Sequence, residues 1–116
     1  MTNYQNGLAA EDIAARLYEM QQGKILERRW RKRGGEIDLI VELAGVLVFV
    51  EVKARKSLDD AAGAVSAAQQ QRLFRMAEQY LAATDRPLDT DMRFDLVITD
   101  RNGGVEILEN ALAEVW

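Results

Sequence analysis

Apolar residues recur along the chain at two different periods, and each change of period marks a new element. In residues 7–22 the positions Leu8, Ile13, Ala14, Leu17 and Met20, together with Tyr18, follow the spacing of one helical face, and Gly23 supplies a stop. In residues 24–33 Ile25, Leu26 and Trp30 stand among charged side chains. This reads as a strand that reverses at Gly34-Gly35, where glycine permits the positive φ of a tight turn. Residues 36–43 and 46–54 are rich in β-branched and aromatic types and are separated by Ala44-Gly45, the length of a hairpin loop. In the second of these runs, alternation puts Val46, Val48, Val50 and Val52 on one face and Leu47, Phe49, Glu51 and Lys53 on the other. A strand that is apolar on both faces at its start is expected between two layers.

Residues 57–63 read as a loop. Residues 66–84 read as a second helix, with Leu73, Met76, Ala77, Tyr80 and Leu81 forming one apolar stripe, and Pro87 bars its continuation. Residues 93–99 and 105–109 form a second pair of strands around Asn102-Gly103-Gly104, and the apolar tail through Trp116 is expected to pack back on the domain. The order αβββαββ predicts an α/β fold, a mixed β-sheet flanked by helices. The chain has 116 residues, without repeats or a long linker, and this matches one domain spanning residues 1–116.

Composition narrows the chemistry. The chain contains no Cys and no His, which excludes thiol catalysis, histidine relays, haem ligation and the usual zinc sites. Carboxylate, lysine, arginine and hydroxyl chemistry remains. The longest apolar run, residues 46–50, is strand-sized, and the N-terminus lacks a basic segment followed by an apolar one, so a cytoplasmic protein with no membrane span is expected. The net charge of −4 argues against a polyanionic partner until its distribution is considered. Residues 1–23 sum to −2, residues 24–56 to +4 and residues 57–116 to −6. The middle segment holds Arg28, Arg29, Arg31, Lys32, Arg33, Arg55 and Lys56, a local basic face on an acidic chain. Two readings stand for these cations with Trp30: phosphate contacts, or the solvated rim of an edge strand.

The candidate site comes from Gly35-Glu36-Ile37-Asp38-Leu39-Ile40, followed about a dozen residues later by Val50-Glu51-Val52-Lys53. Hairpin partners lie roughly 5 Å apart, so Asp38 and Glu51 are brought together if their faces coincide. Two such carboxylates repel and require a cation, either Lys53 or a bound metal. Mg2+ (or Mn2+) suits a site of few carboxylates that leaves positions for water and phosphate oxygens, and phosphodiester hydrolysis is its natural chemistry. Asp38 and Glu51 are the expected ligands, the Val52 carbonyl a third, and Lys53 the group that orients water or stabilises developing charge. Glu11 joins them only if helix 1 crosses the strand face; otherwise it is a surface acid. Gln69 stands three residues after Ser66, which fits a Ser-x-x-Gln capping box as well as a catalytic position.

At these motifs, and at Gly7 to Glu11, Ala14-Ala15, Phe49-Val50-Glu51-Val52-Lys53-Ala54-Arg55 and Arg93-Phe94-Asp95, the chain resembles the YraN-like bacterial proteins. These are predicted endonucleases related to archaeal Holliday-junction resolvases in the PD-(D/E)XK, or restriction-endonuclease-like, superfamily. The resemblance implies a restriction-endonuclease-like sheet, metal ligation at Asp38 and Glu51, Lys53 as the catalytic lysine and Glu11 as the helix carboxylate. It also implies a structured or branched DNA substrate, DNA repair or recombination as the setting, and a homodimer, since a junction presents two strands to cut. Gln69 departs from the Lys that relatives often carry early in helix 2 and removes a positive charge from the phosphate side. That departure and the acidic net charge motivate the alternative: a catalytically silent nucleic-acid- or protein-binding accessory factor on the same fold. An RNA-directed nuclease is a third reading.

Overall fold

The computed structural model describes residues 3–58 and 65–112, the side chains of residues 3–8 excepted. Helix α1 spans Asn3–Met20, and strands β1 (Lys24–Lys32), β2 (Gly35–Leu43) and β3 (Val46–Ala54) follow it. Helix α2 (Ala67–Ala83) then leads to β4 (Met92–Thr99) and β5 (Val105–Leu108). This is the αβββαββ order expected from periodicity, in the mixed-sheet architecture of the restriction-endonuclease-like resemblance. The tail beyond Leu112 and residues 59–64 of the loop after β3 lie outside the described residues.

The five strands form one sheet in chain order. Neighbours are antiparallel except β3 and β4, which run parallel because α2 crosses over between them. The β2–β3 turn, Ala44-Gly45, has positive φ at both residues (52° and 81°), the form whose twist matches the flanking strands. In the β1–β2 turn only Gly34 has positive φ (101°), whereas Gly35 belongs to β2, where an added Cβ would come within 3.1 Å of the Arg72 side chain.

Helix α1 stops by a Schellman motif: Gln22 N–H donates to the Glu19 carbonyl at 2.9 Å and Gly23 N–H to the Tyr18 carbonyl at 2.8 Å. Gln22, at φ 69°, takes the left-handed position. The glycine that sequence reading assigned to the stop serves close approach instead, since a Cβ on Gly23 would sit 2.9 Å from the Tyr18 oxygen.

Two apolar layers enclose the sheet. Ala14, Ala15 and Tyr18 of α1 pack on Leu39, Val41, Val48, Val50 and Val97. Leu73, Phe74, Met76, Ala77, Tyr80 and Leu81 of α2 pack on Ile37, Ile40, Leu47, Phe49, Phe94, Leu96 and Ile98. The alternation read for β3 therefore holds, with its valines under α1 and Leu47 and Phe49 under α2. Among the described residues no helix is long and apolar enough to cross a membrane.

Candidate metal centre

The directions of the strands bring the C-terminal ends of β1, β3 and β4 and the start of β2 to one edge of the sheet. Both chemical motifs lie there. Pairing of β2 with β3 runs from Leu43↔Val46 to Leu39↔Val50 and goes no further, so the strands part at Asp38. Val52 N–H, left without a β2 carbonyl, donates to Asp38 Oδ2 at 2.8 Å. That bond holds the carboxylate close to the plane of the sheet, in the gap between the strands.

Side-chain alternation slips at the same level. Ile37 and Ile40, three residues apart, both face α2, while Leu39 faces α1. On β1 the counterpart is Arg29, at φ 54°, and the β1–β2 register passes from Arg28↔Leu39 to Trp30↔Ile37 without an Arg29–Asp38 pair. Each strand thus turns one residue out of regular pairing, and these two are a cation and an acid.

The slip gathers carboxylates from three elements. One oxygen each of Glu11, Glu36 and Asp38 lies within 4.8 Å of the others. Helix α1 does cross the strand face at Glu11, which was the condition for including it. Glu51, on β3, feels the Asp38 charge but is not among the three acids whose oxygens converge, and Lys53 Nζ lies 3.7 Å from Glu51 Oε1. Arg29 Nε lies 3.7 Å from Glu11 Oε1 and 3.5 Å from Glu36 Oε1, and Arg31 Nε 2.7 Å from Glu36 Oε2.

The crowding of acids shows in their protonation. Burial, then the Asp38 charge, push the Glu11 carboxyl up to about 7, with Glu36 and Asp12 adding to the rise and Arg29 opposing it. Glu51 is raised as well, first by burial and then by Asp38, with Lys53 opposing. The oxygen-only donor set and its excess of negative charge fit a hard divalent cation.

The remaining sequence-predicted residues fall as follows. Val52 N–H faces the gap, and because N–H and C=O of one strand residue point to the same side, its carbonyl faces the gap too. Gln69 completes the capping box of α2: its N–H donates to Ser66 Oγ at 3.1 Å and its Oε1 accepts from Ser66 N–H at 3.0 Å. Lys32, Arg33 and Lys56 are exposed at the site's edge of the sheet. Arg55 Nη1 donates to the Ala54 carbonyl, and Arg29 turns toward the acids. Glu36 stands inside the candidate motif, but sequence reasoning did not place it among the ligands; the Glu-x-Asp spacing was the available signal. Nothing in the spacing marked Arg29 as different from its neighbours.

The fold and this cluster define an α/β protein with a candidate divalent-cation centre between two parting strands. The chain belongs to UPF0102, described as an uncharacterised protein family, whose model matches residues 10–99. A UPF0102 protein of Roseobacter denitrificans is 46% identical over 112 residues, 96% of this chain and 86% of that protein. Others are 45% identical in Azorhizobium caulinodans (90% of this chain, 80% of that protein) and 40% identical in Cereibacter sphaeroides (96% and 95%). Among solved structures, Pyrococcus furiosus SfsA in complex with Ca2+ is similar over 84% of this chain and 58% of that one, with a TM-score of 0.35 and 13% identity. This chain therefore spans less than two thirds of that protein's length.

Proposed function

We propose that the chain is a metal-dependent nuclease that hydrolyses phosphodiester bonds in structured or branched DNA, using Mg2+ or Mn2+. The observation that carries this reading is the convergence of carboxylate oxygens from α1 and β2 on the gap where β2 and β3 part, beside Glu51 and Lys53. Asp38, Glu51 and Glu11, with the Val52 carbonyl and with Glu36 from the same cluster, would hold the ion. When bound, it supplies Lewis-acid stabilisation of the charge on the scissile phosphate.

The chain's own groups do the rest. Val52 N–H fixes the Asp38 carboxylate, so the ligand is preorganised. Lys53, held by Glu51, presents its ammonium where it can orient an attacking water and balance charge as the bond breaks. Lys32, Arg33, Arg55 and Lys56, with Arg31, would draw the phosphate backbone to this edge. Cutting a four-way junction takes two such sites and hence a homodimer.

The test is cleavage of branched and linear DNA, and of RNA in parallel, by purified protein with Mg2+ or Mn2+. Cleavage is expected on branched DNA and is expected to be lost in Asp38→Ala and Lys53→Ala. Activity that survives both substitutions would overturn the reading. A silent binding factor is favoured by one observation, the engagement of the Gln69 carbonyl oxygen in the helix cap. Under that reading, DNA or protein binding persists while calorimetry detects no metal binding that depends on Asp38 and Glu51.

A further inference from the structure

Arg29 differs from the other cations of β1 in backbone, direction and partners. Its φ of 54° lies in the left-handed region, which a long side chain enters only at a cost that its surroundings must offset. Arg28 pairs with Asp12 at 2.7 Å on the exposed side of α1, and Arg31 reaches Glu36 from outside at 68% exposure. The unusual backbone of Arg29 instead carries its guanidinium to Glu11 and Glu36, two of the three acids whose oxygens converge, and its side chain is 28% exposed. Asp38, the third, is the residue across the sheet at the level where both strands slip.

We propose that Arg29 is the built-in counter-cation of the carboxylate centre: it neutralises Glu11 and Glu36 when no divalent ion is bound and must release them when one binds. This rests on reading the cluster as a metal centre. Two cations cannot share the same carboxylate oxygens a few ångströms apart without strong repulsion, so the ion and the guanidinium compete. Arg29 thereby sets the ion concentration at which the centre fills and keeps the empty centre from being forced apart by its acids.

Calorimetric titration of the full chain with Mn2+ tests this in wild type, Arg29→Gln, Arg29→Asn, Arg29→Lys and Asp38→Asn. Asn tolerates the left-handed backbone, so Arg29→Asn separates loss of charge from loss of fold. Both neutral variants are expected to bind Mn2+ about tenfold or more tightly than wild type, and Arg29→Lys to stay near wild type. The 15N–1H signal of Arg29 Nε, read in the unmodified protein, should shift on saturation with Mg2+ as the guanidinium leaves Glu11 and Glu36. Asp38-dependent binding in wild type with unchanged or weaker binding in the neutral variants, or an unmoved Nε signal, would overturn the proposal while leaving the metal centre standing. Absence of Asp38-dependent binding in wild type and in the neutral variants alike would overturn both.

Discussion

Glu11 stands on a helix, where an acid is ordinarily solvated, yet its side chain is only 12% exposed and shares a cluster with Asp38 and Glu36. Its carboxyl is raised from the ordinary value of 4.5 to about 7, so the folded chain favours the protonated form. The contribution to stability is full below the unfolded value and is lost as pH rises through about 7. Glu11→Gln is therefore expected to raise the melting temperature of metal-free protein at pH 8, by roughly 4 °C, and by much less at pH 5. Thermal denaturation in a chelator at the two pH values checks this; an equal effect at both would show that the acid cluster does not strain the fold. The nearness of Asp38 to the strand that carries Glu51 and Lys53 was legible from spacing alone, because a tight hairpin limits where their strands can lie. Glu11 needed the family resemblance, since helix periodicity does not say which strand end the helix crosses. Glu36 was signalled by the Glu-x-Asp spacing but not placed among the ligands, and Arg29 as the cluster's cation was hidden, because the alternation rule assumes regular strands and alternation slips at its level.

Elements are tied together by a second, fully buried acid. Asp95 on β4 accepts from Tyr18 Oη at 2.8 Å, from Arg93 Nε at 3.1 Å and from Asn110 N–H at 2.8 Å, joining α1, β4 and the segment after β5. Fully buried, and with a carboxylate at its hydroxyl, Tyr18 is pushed well above the usual phenol range, burial being the larger cause. Removing one partner from such a network leaves the others unsatisfied. Asp95→Ala is expected to lower unfolding free energy by about 3 kcal/mol or more, and Tyr18→Phe by about 1 to 3 kcal/mol. Urea titrations that gave a smaller loss for Asp95→Ala than for Tyr18→Phe would contradict this account. Elements themselves were legible to within a few residues, with β3 matching end to end, because period 2 and period 3.6 separate cleanly in this chain. Capping of α2 by Ser66 and Gln69 was equally readable, since a capping box is local.

Across the whole molecule, charge is segregated in a way that the net value of −4 conceals. The basic excess of residues 24–56 reaches the same sheet edge as the carboxylate centre because β1 and β3 both end there. If that edge meets a DNA backbone, Lys32→Ala, Arg33→Ala and Lys56→Ala should each weaken binding uniformly across sequences. Each should also reduce the slope of log affinity against log salt by about 1. Fluorescence anisotropy at several salt concentrations measures this, and three unchanged slopes would place the nucleic-acid face elsewhere.

The sequence by itself determined the elements, their order, the two faces of β3 and the nearness of Asp38 to the Glu51–Lys53 strand, because these depend on period and turn length, which are local. Only the tertiary structure decided which acids meet. The parting of β2 from β3, the matched slip at Arg29 and Asp38 and the passage of α1 over that point are set by how strands and helix pack together. A one-dimensional pattern carries no term for packing between distant segments. For the same reason, the candidate centre is larger than its motif and includes its own opposing cation.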